Sequence, residues 1–317
     1  MSSNKPLELP GLDPQNPLAF LAALGVLRAL DDRAVRTGGR PPRLGFRGDA
    51  RPMPVIVSDI PGIEELIPVL LQDAADRASD AVLTLAYDAS GRRVAHGSPG
   101  ASYDLKPPPA VARELLEEAV AQGGSTLRLA AAFFSDVVRD NKGATKPTAF
   151  HFTAGQQEFL AMVTELRAKV TAEDFREALI GPWLGRSQLP SLSWDATASR
   201  NYALRASDPS KEKRGSIAAA NWLGVLGLTF FPVFPFRRRL ETTAVRGSWK
   251  NSTFTWPIWE PAATAATVSS LLRLDVRRFR AAECRALGIT GVFASRILRS
   301  EQGGYGSFTP AAAVPPA

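Results

Sequence analysis

From Asn16-Pro17 the run LAFLAALGVLRALDDRA is apolar nearly all the way round, which predicts a buried helix with Asn as N-cap and Pro at the first helical position. Gly38-Gly39 and Pro41-Pro42 end it, and RLGFR and PVIVS behind them read as short strands. Residues 61–78 have helical spacing with Pro68 as a kink, and Val82 to Tyr87 (VLTLAY) reads as a strand. A helix over AVARELLEEAVAQ follows Pro107-Pro108-Pro109 and stops at Gly123-Gly124, whereas LRLAAAFFSDVV (127–138) fits a strand and a buried helix equally well. Residues 139–148 form a polar loop. Helices are predicted over 156–169 and 171–180, the second opened by a capping box from Thr171 to Asp174, before Gly181-Pro182 breaks the chain.

Beyond that break the pattern gives one apolar helix, SIAAANWLGVLGLTFF, between basic loops, then strand-like TTAV and STFTWPIW, and two short helices over 264–274 and 275–287. GVFASRILRS and YGSFTP are expected to pair as a hairpin across Glu301 to Gly304, and the tail AAAVPPA is expected to be disordered. The predicted class is α+β: irregular mixed helices and short antiparallel strands, with no doubly wound sheet, because the strands are too irregularly spaced for a parallel one.

Composition changes the picture mainly through charge. A chain of 317 residues with 45% hydrophobic and 22% charged residues is globular, and no run is apolar and long enough for a membrane span. The polar, proline-rich start lacks the cationic and apolar regions of a leader, so the expected location is the cytoplasm, with no membrane partner. Residues 1–180 hold 20 Lys/Arg against 23 Asp/Glu, and residues 181–317 hold 18 against 8, so the net charge of +7 comes from the second part. This suggests an acidic α+β part over 1–180, a basic α+β part over 181–310 that faces nucleic acid, and a tail over 311–317. Segregated positive charge points to a polyanion, and the lack of a long cationic amphipathic helix favours nucleic acid over a membrane surface.

Catalytic chemistry has little to stand on. The chain has one cysteine, Cys284, and two histidines, His96 and His151, and it lacks the phosphate-cradling, dinucleotide, zinc-protease and nucleophile-elbow motifs. Asp136, Asp140, His151, Glu158 and Asp195 are the pieces from which a metal nuclease would be built, but their spacing matches no motif. His151 between aromatics reads as a satisfied histidine, Asp136 and Asp140 as loop or capping carboxylates, and Cys284 as a buried structural thiol. The expectation is a chain without catalysis, metal or cofactor.

The nucleic-acid candidates are clustered. Arg186, Arg200, Arg205, Lys211, Lys213 and Arg214 fall near Trp194 and Tyr202, while Arg237, Arg238, Arg239, Arg246 and Lys250 fall beside Trp249. Cations neutralise phosphates and aromatic faces accept bases. Lys142 and Lys146, in the 139–148 loop, are placed to reach the same strand. Gln188, Asn201 and Asn251 are the candidates for base edges. Trp222, Trp256 and Trp259 lie in apolar runs and read as core.

Four strings, DPQNPLAFLAALGVLRALDD, FHFTAGQQEFL, GPWLGRSQLPSLSWDATASRNYALRASDPSKEKRGS and VRGSWKNSTFTWPIW, resemble a CRISPR-associated family of type I-U (I-G) loci: the short form of the large subunit of the RNA-guided surveillance complex Cascade. The resemblance covers most of residues 11–275, and the last part of the chain carries none of it. It implies a non-catalytic subunit at the 5′ end of the guide RNA (crRNA) that binds double-stranded target DNA at the protospacer-adjacent motif (PAM). Such a subunit aids strand opening, contacts other Cascade subunits and recruits a separate helicase-nuclease in trans. Two other readings remain: a scaffold subunit that contacts guide RNA and neighbours without reading DNA, and an enzyme.

Overall fold

The computed structural model describes residues 5–48, 51–198, 215–300 and 304–315. The fold is α+β, with small antiparallel sheets, none of them closed among the described residues. The short strand β1 (Leu7–Glu8) leads to α1 (Pro17–Thr37), followed by β2 (Arg43–Arg47), β3 (Met53–Val57) and α2 (Ile63–Asp76), which runs through Pro68. Next come α3 (Pro109–Gln122), α4 (Gly124–Phe133), the hairpin β4 (Phe134–Arg139) and β5 (Thr145–Pro147), α5 (Phe159–Lys169) and α6 (Ala172–Ile180). After α7 (Ala218–Gly227) two hairpins follow: β6 (Val233–Phe236) with β7 (Arg239–Thr242), and β8 (Val245–Ser248) with β9 (Asn251–Trp259). The described chain closes with β10 (Ala263–Thr264), α8 (Ala265–Leu271), α9 (Ala281–Ala286), β11 (Ile289–Arg299), β12 (Gly306–Phe308) and β13 (Ala312–Ala313).

Helix α1 forms as its sequence predicts. The Asn16 side chain accepts a hydrogen bond from the Leu18 backbone N–H at 3.0 Å, Pro17 takes the first helical position, and Gly38 closes the helix at φ 65°. It packs lengthwise on α7, and two glycines make the crossing possible: a Cβ on Gly25 would lie 1.9 Å from the Leu223 carbonyl oxygen, and one on Gly227 would lie 2.1 Å from that of Leu21. The two helices therefore meet backbone to backbone. Around them sits an aromatic cluster in which Phe254 stacks on Trp256 at 4.7 Å and meets Phe150 edge-on at 5.0 Å, while Trp259 lies edge-on to Phe46 at 5.0 Å. Each such buried side chain contributes about 1.5–3 kcal/mol through burial. Trp222, Trp256 and Trp259 are core, as expected, and the indole N–H groups of Trp256 and Trp259 donate to the carbonyls of Pro14 and Leu44. The core draws on residues from both sides of Gly181.

A second, ionic device joins α1 to α2 and α4. Arg77 donates to both carboxylate oxygens of Asp73 at 2.8 and 2.9 Å, to Asp32 at 2.8 Å, and to Ser125. Asp32 also pairs with Arg128, while Arg28 bonds Asp31 and Thr229 at 3.0 Å and lies 4.3 Å over the Phe230 ring. Burial, together with Arg128, pushes the Arg28 guanidinium down to about 10 and burial raises the Asp31 carboxyl. Burial also works against the charge of Arg77, but its bonds to Asp73 and Asp32 outweigh that and hold its proton more firmly than usual.

Two expectations need correction, and one open reading is resolved. Val82 to Tyr87 is a buried series of turns, with only Tyr87 in isolated bridges, because the Asp80 carboxylate accepts the Val82 and Leu83 N–H groups and fixes a local turn that competes with a strand. The ambiguous run 127–138 is both things in turn: α4 ends at Phe133 and β4 begins at Phe134. The tail is ordered over its described part: Ala312 and Ala313 pair with Ala294 and Phe293, and the Val314 N–H bonds the Val292 carbonyl. Strand β11 is long, and β12 covers only Ile297 to Arg299, so an open edge remains for the tail to pair with.

Candidate nucleic-acid interface

The two hairpins that follow α7 each turn in two residues. Phe236 pairs with Arg239 across Arg237-Arg238, and Ser248 pairs with Asn251 across Trp249-Lys250. Such tight turns favour Asn, Asp and Gly, which tolerate left-handed backbone. Here Arg237 is held at φ 55°, a conformation that costs a non-glycine residue on the order of 1 kcal/mol. In the second hairpin the left-handed position falls on Gly247, at φ 115°, where a Cβ would lie 2.3 Å from the Asn251 carbonyl oxygen. The tips therefore display cations and an indole where turn chemistry alone would choose small residues.

Hydrophobic side chains are exposed on the same surface: Phe234 (43%), Phe236 (53%) and Trp249 (49%). The Arg237 guanidinium lies 5.3 Å from the Phe236 ring centre. Arg237, Arg238, Arg239, Arg246 and Lys250 are exposed, and among the described residues none of them forms an ion pair. Two clefts flank the strip formed by Arg239, Glu241, Gly247 and Ser248. One, of about 280 Å³, is bounded further by Lys146, Ala149 and Trp249, and the other, of about 500 Å³, by Phe234, Phe236 and Arg246.

Lys146 reaches this place because the β4–β5 hairpin packs against the β6–β7 hairpin, so a lysine of the acidic part shares a cleft with Arg239. Lys142 is exposed in the β4–β5 turn, where its N–H bonds the Asp140 carboxylate. Arg186 and Gln188 are exposed in the loop after α6, pinned by a bridge between Ser187 and Ser216. Asn251 closes the turn of the second hairpin opposite Ser248 and accepts from Arg296 at 3.4 Å. Arg200, Asn201, Tyr202, Arg205, Lys211, Lys213 and Arg214 lie outside the described residues. Trp194 is corrected: it is fully buried with its N–H on the Phe150 carbonyl, so it offers no face to a base.

Sequence reasoning overlooked Arg299. Its Nη atoms donate to the carbonyls of His151 and Ala149, both at 2.8 Å, and its guanidinium lies 3.5 Å from the Trp249 ring centre and 5.4 Å from that of Phe152. Burial pushes its pKa down to about 9, and among the described residues it has no carboxylate partner. Only its place in the partly buried end of β11 distinguishes it from the many surface arginines, and no local pattern signals that. A further basic stretch adjoins the hairpins: despite burial, the Asp275 carboxyl is held below its usual range by Arg277, Arg278 and also Arg246.

The residues considered for metal chemistry are engaged elsewhere. Asp136 pairs with Arg113, Asp140 caps its own turn, Glu158 accepts from Ser102 and Tyr103, and Asp195 accepts from Asn16 and Thr197. Among the described residues no three metal-ligating side chains come together. Cys284 is buried and unpaired. His151 is buried, with Nε2 2.6 Å from Asp104 and 3.0 Å from Thr153. Burial holds the imidazole below its usual value of 6.5, so as the pH falls through that value the unfolded chain takes up a proton that the folded chain refuses. Stability is therefore full above 6.5 and lost below it. Denaturant titrations at pH 7.5 and 5.5 are expected to show this loss in the natural chain, at up to about 1.4 kcal/mol per pH unit, and a smaller one in His151→Gln. Asp104, also held low, contributes only at more acidic pH.

Comparison with protein-family models gives no matching model, and comparison with curated proteins gives no match. No helix among the described residues is long and apolar enough to cross a membrane. The class of protein thus rests on fold and surface: an α+β chain that carries a cationic, aromatic face on paired hairpins.

Proposed function

We propose that this chain is the non-catalytic large subunit of an RNA-guided CRISPR surveillance complex, a cytoplasmic protein that captures target DNA at the PAM and hands it to a helicase-nuclease acting in trans. The observation that carries the reading is the hairpin face, where Arg237, Arg238, Arg239, Arg246 and Lys250 stand exposed beside Trp249 and Phe236 and, among the described residues, form no ion pair. Exposed cations keep their charge for phosphates, and backbone strain kept at Arg237 marks a tip selected for what it displays. The four sequence strings that resemble the Cascade large subunit add the biological setting. In such a complex base pairing reads the target and the protein reads the PAM and the backbone. Phosphate contacts then fall to the hairpin cations and Lys146, and base edges to exposed polar residues such as Gln188 and Asn251.

The test is to tag the chain, purify it from its native cell at moderate salt, sequence the RNA and identify the proteins that accompany it. Short RNAs of uniform length with a common repeat-derived 5′ end, together with a repeated backbone subunit, are expected. Recovery of the chain alone, or with heterogeneous RNA, would overturn the reading.

A further inference from the structure

The smaller cleft has features that phosphate binding does not require. Trp249 is half-exposed at the hairpin tip, yet it is fixed: Arg299 lies under one face at 3.5 Å and is itself clamped by the carbonyls of His151 and Ala149. A planar ligand can therefore stack only on the other face of the indole. The cleft of about 280 Å³ is at the small end of ligand sites. Its polar lining includes Glu241, Ser248 and Ser252, with Lys146 and Arg239 at the same cleft. A carboxylate accepts from the exocyclic amino group of a base, and the two cations suit the phosphates on either side of it. A positive charge under the ring and two more on the walls exclude a cationic ligand.

We propose that this cleft binds one unpaired nucleobase of a single-stranded nucleic acid, stacked on Trp249, with its amino edge toward Glu241 and its phosphates on Lys146 and Arg239. Paired bases inside a duplex are covered on both faces and cannot enter. The inference rests on the nucleic-acid reading of the hairpin face and deepens it by naming the strand state that the cleft takes.

The experiment compares dC12, rC12 and a 12-base-pair duplex as probes of the full chain. Loss of one base stack weakens binding about 5- to 150-fold, so Trp249→Ala should lose about that much affinity for the single strand and less than about two-fold for the duplex, while Trp249→Phe keeps most of it. In the unaltered chain the tighter-binding of the two single strands should shield the exposed indole from acrylamide quenching and the duplex should not, a readout independent of how the variants fold. Tighter binding of rC12 than of dC12 assigns the cleft to RNA, and the reverse assigns it to DNA. Equal weakening of single strand and duplex by Trp249→Ala, or no shielding by either dC12 or rC12, overturns the cleft. If charge reversal at Arg237 and Arg238 still weakens binding in that case, the nucleic-acid reading survives alone. If none of the probes binds and reversal changes nothing, both fall.

Discussion

Changing Arg237, Arg238, Arg239 and Arg246 together to glutamate is expected to lower the affinity of the chain, or of the complex that carries it, for duplex DNA by about 100- to 1000-fold near physiological salt. The size follows from counterion release: each phosphate neutralised adds about 0.9 to the slope of log affinity against log salt, so losing four contacts should flatten that slope by about 3 to 4. Reversal goes further than neutralisation because it also repels the phosphates. All four side chains are exposed and none forms an ion pair among the described residues, so the fold has little stake in them, and the variant should melt close to the natural chain. Fluorescence anisotropy over a series of KCl concentrations measures both quantities. An unchanged slope would remove the hairpin face from the proposal, however much the affinity at one salt concentration had moved.

The largest effect on stability is expected at Arg77. Arg77→Ala leaves Asp73 without its two charge-assisted hydrogen bonds and deprives Asp32 of one of two partners, all inside the protein. Breaking a buried pair from one side costs about 3–5 kcal/mol, because the remaining charge stays desolvated. Urea titration should show a fall in unfolding free energy of that size, read from the lowered midpoint. Replacing Arg77 and Asp73 together by Met and Leu should recover part of the loss, since no orphan carboxylate is then left on α2. A loss below about 1 kcal/mol for the single change would mean that water reaches the network and solvates it.

Much of the scaffold was legible because its signals are local. The Asn16-Pro17 cap with an apolar surface all round defines α1, the Thr171–Asp174 capping box defines α6, and two apolar runs separated by Glu301 to Gly304 define the β11–β12 pair. Local signals also explain the failures. The apolar run VLTLAY fits a strand by composition, but a strand needs an edge to pair with, and Asp80 offered the backbone a nearer partner. The tail AAAVPPA has no pattern of its own, and it is ordered by an edge of β11 that its own residues do not announce.

The α+β class, the buried α1, the segregation of positive charge into the second part and the pool of cations from which a site is drawn all follow from local patterns along the chain. Which of those cations stand together depends on long-range packing. Lys146, Arg239, Trp249 and Arg299 meet through hairpin packing between segments far apart in the chain, and Trp194, grouped by sequence position with the cations of 186–214, is buried in the core. Periodicity and turn chemistry report on neighbours within a few residues, whereas the arrangement of hairpins is set by burial of the aromatic cluster beneath them, a property of the whole chain.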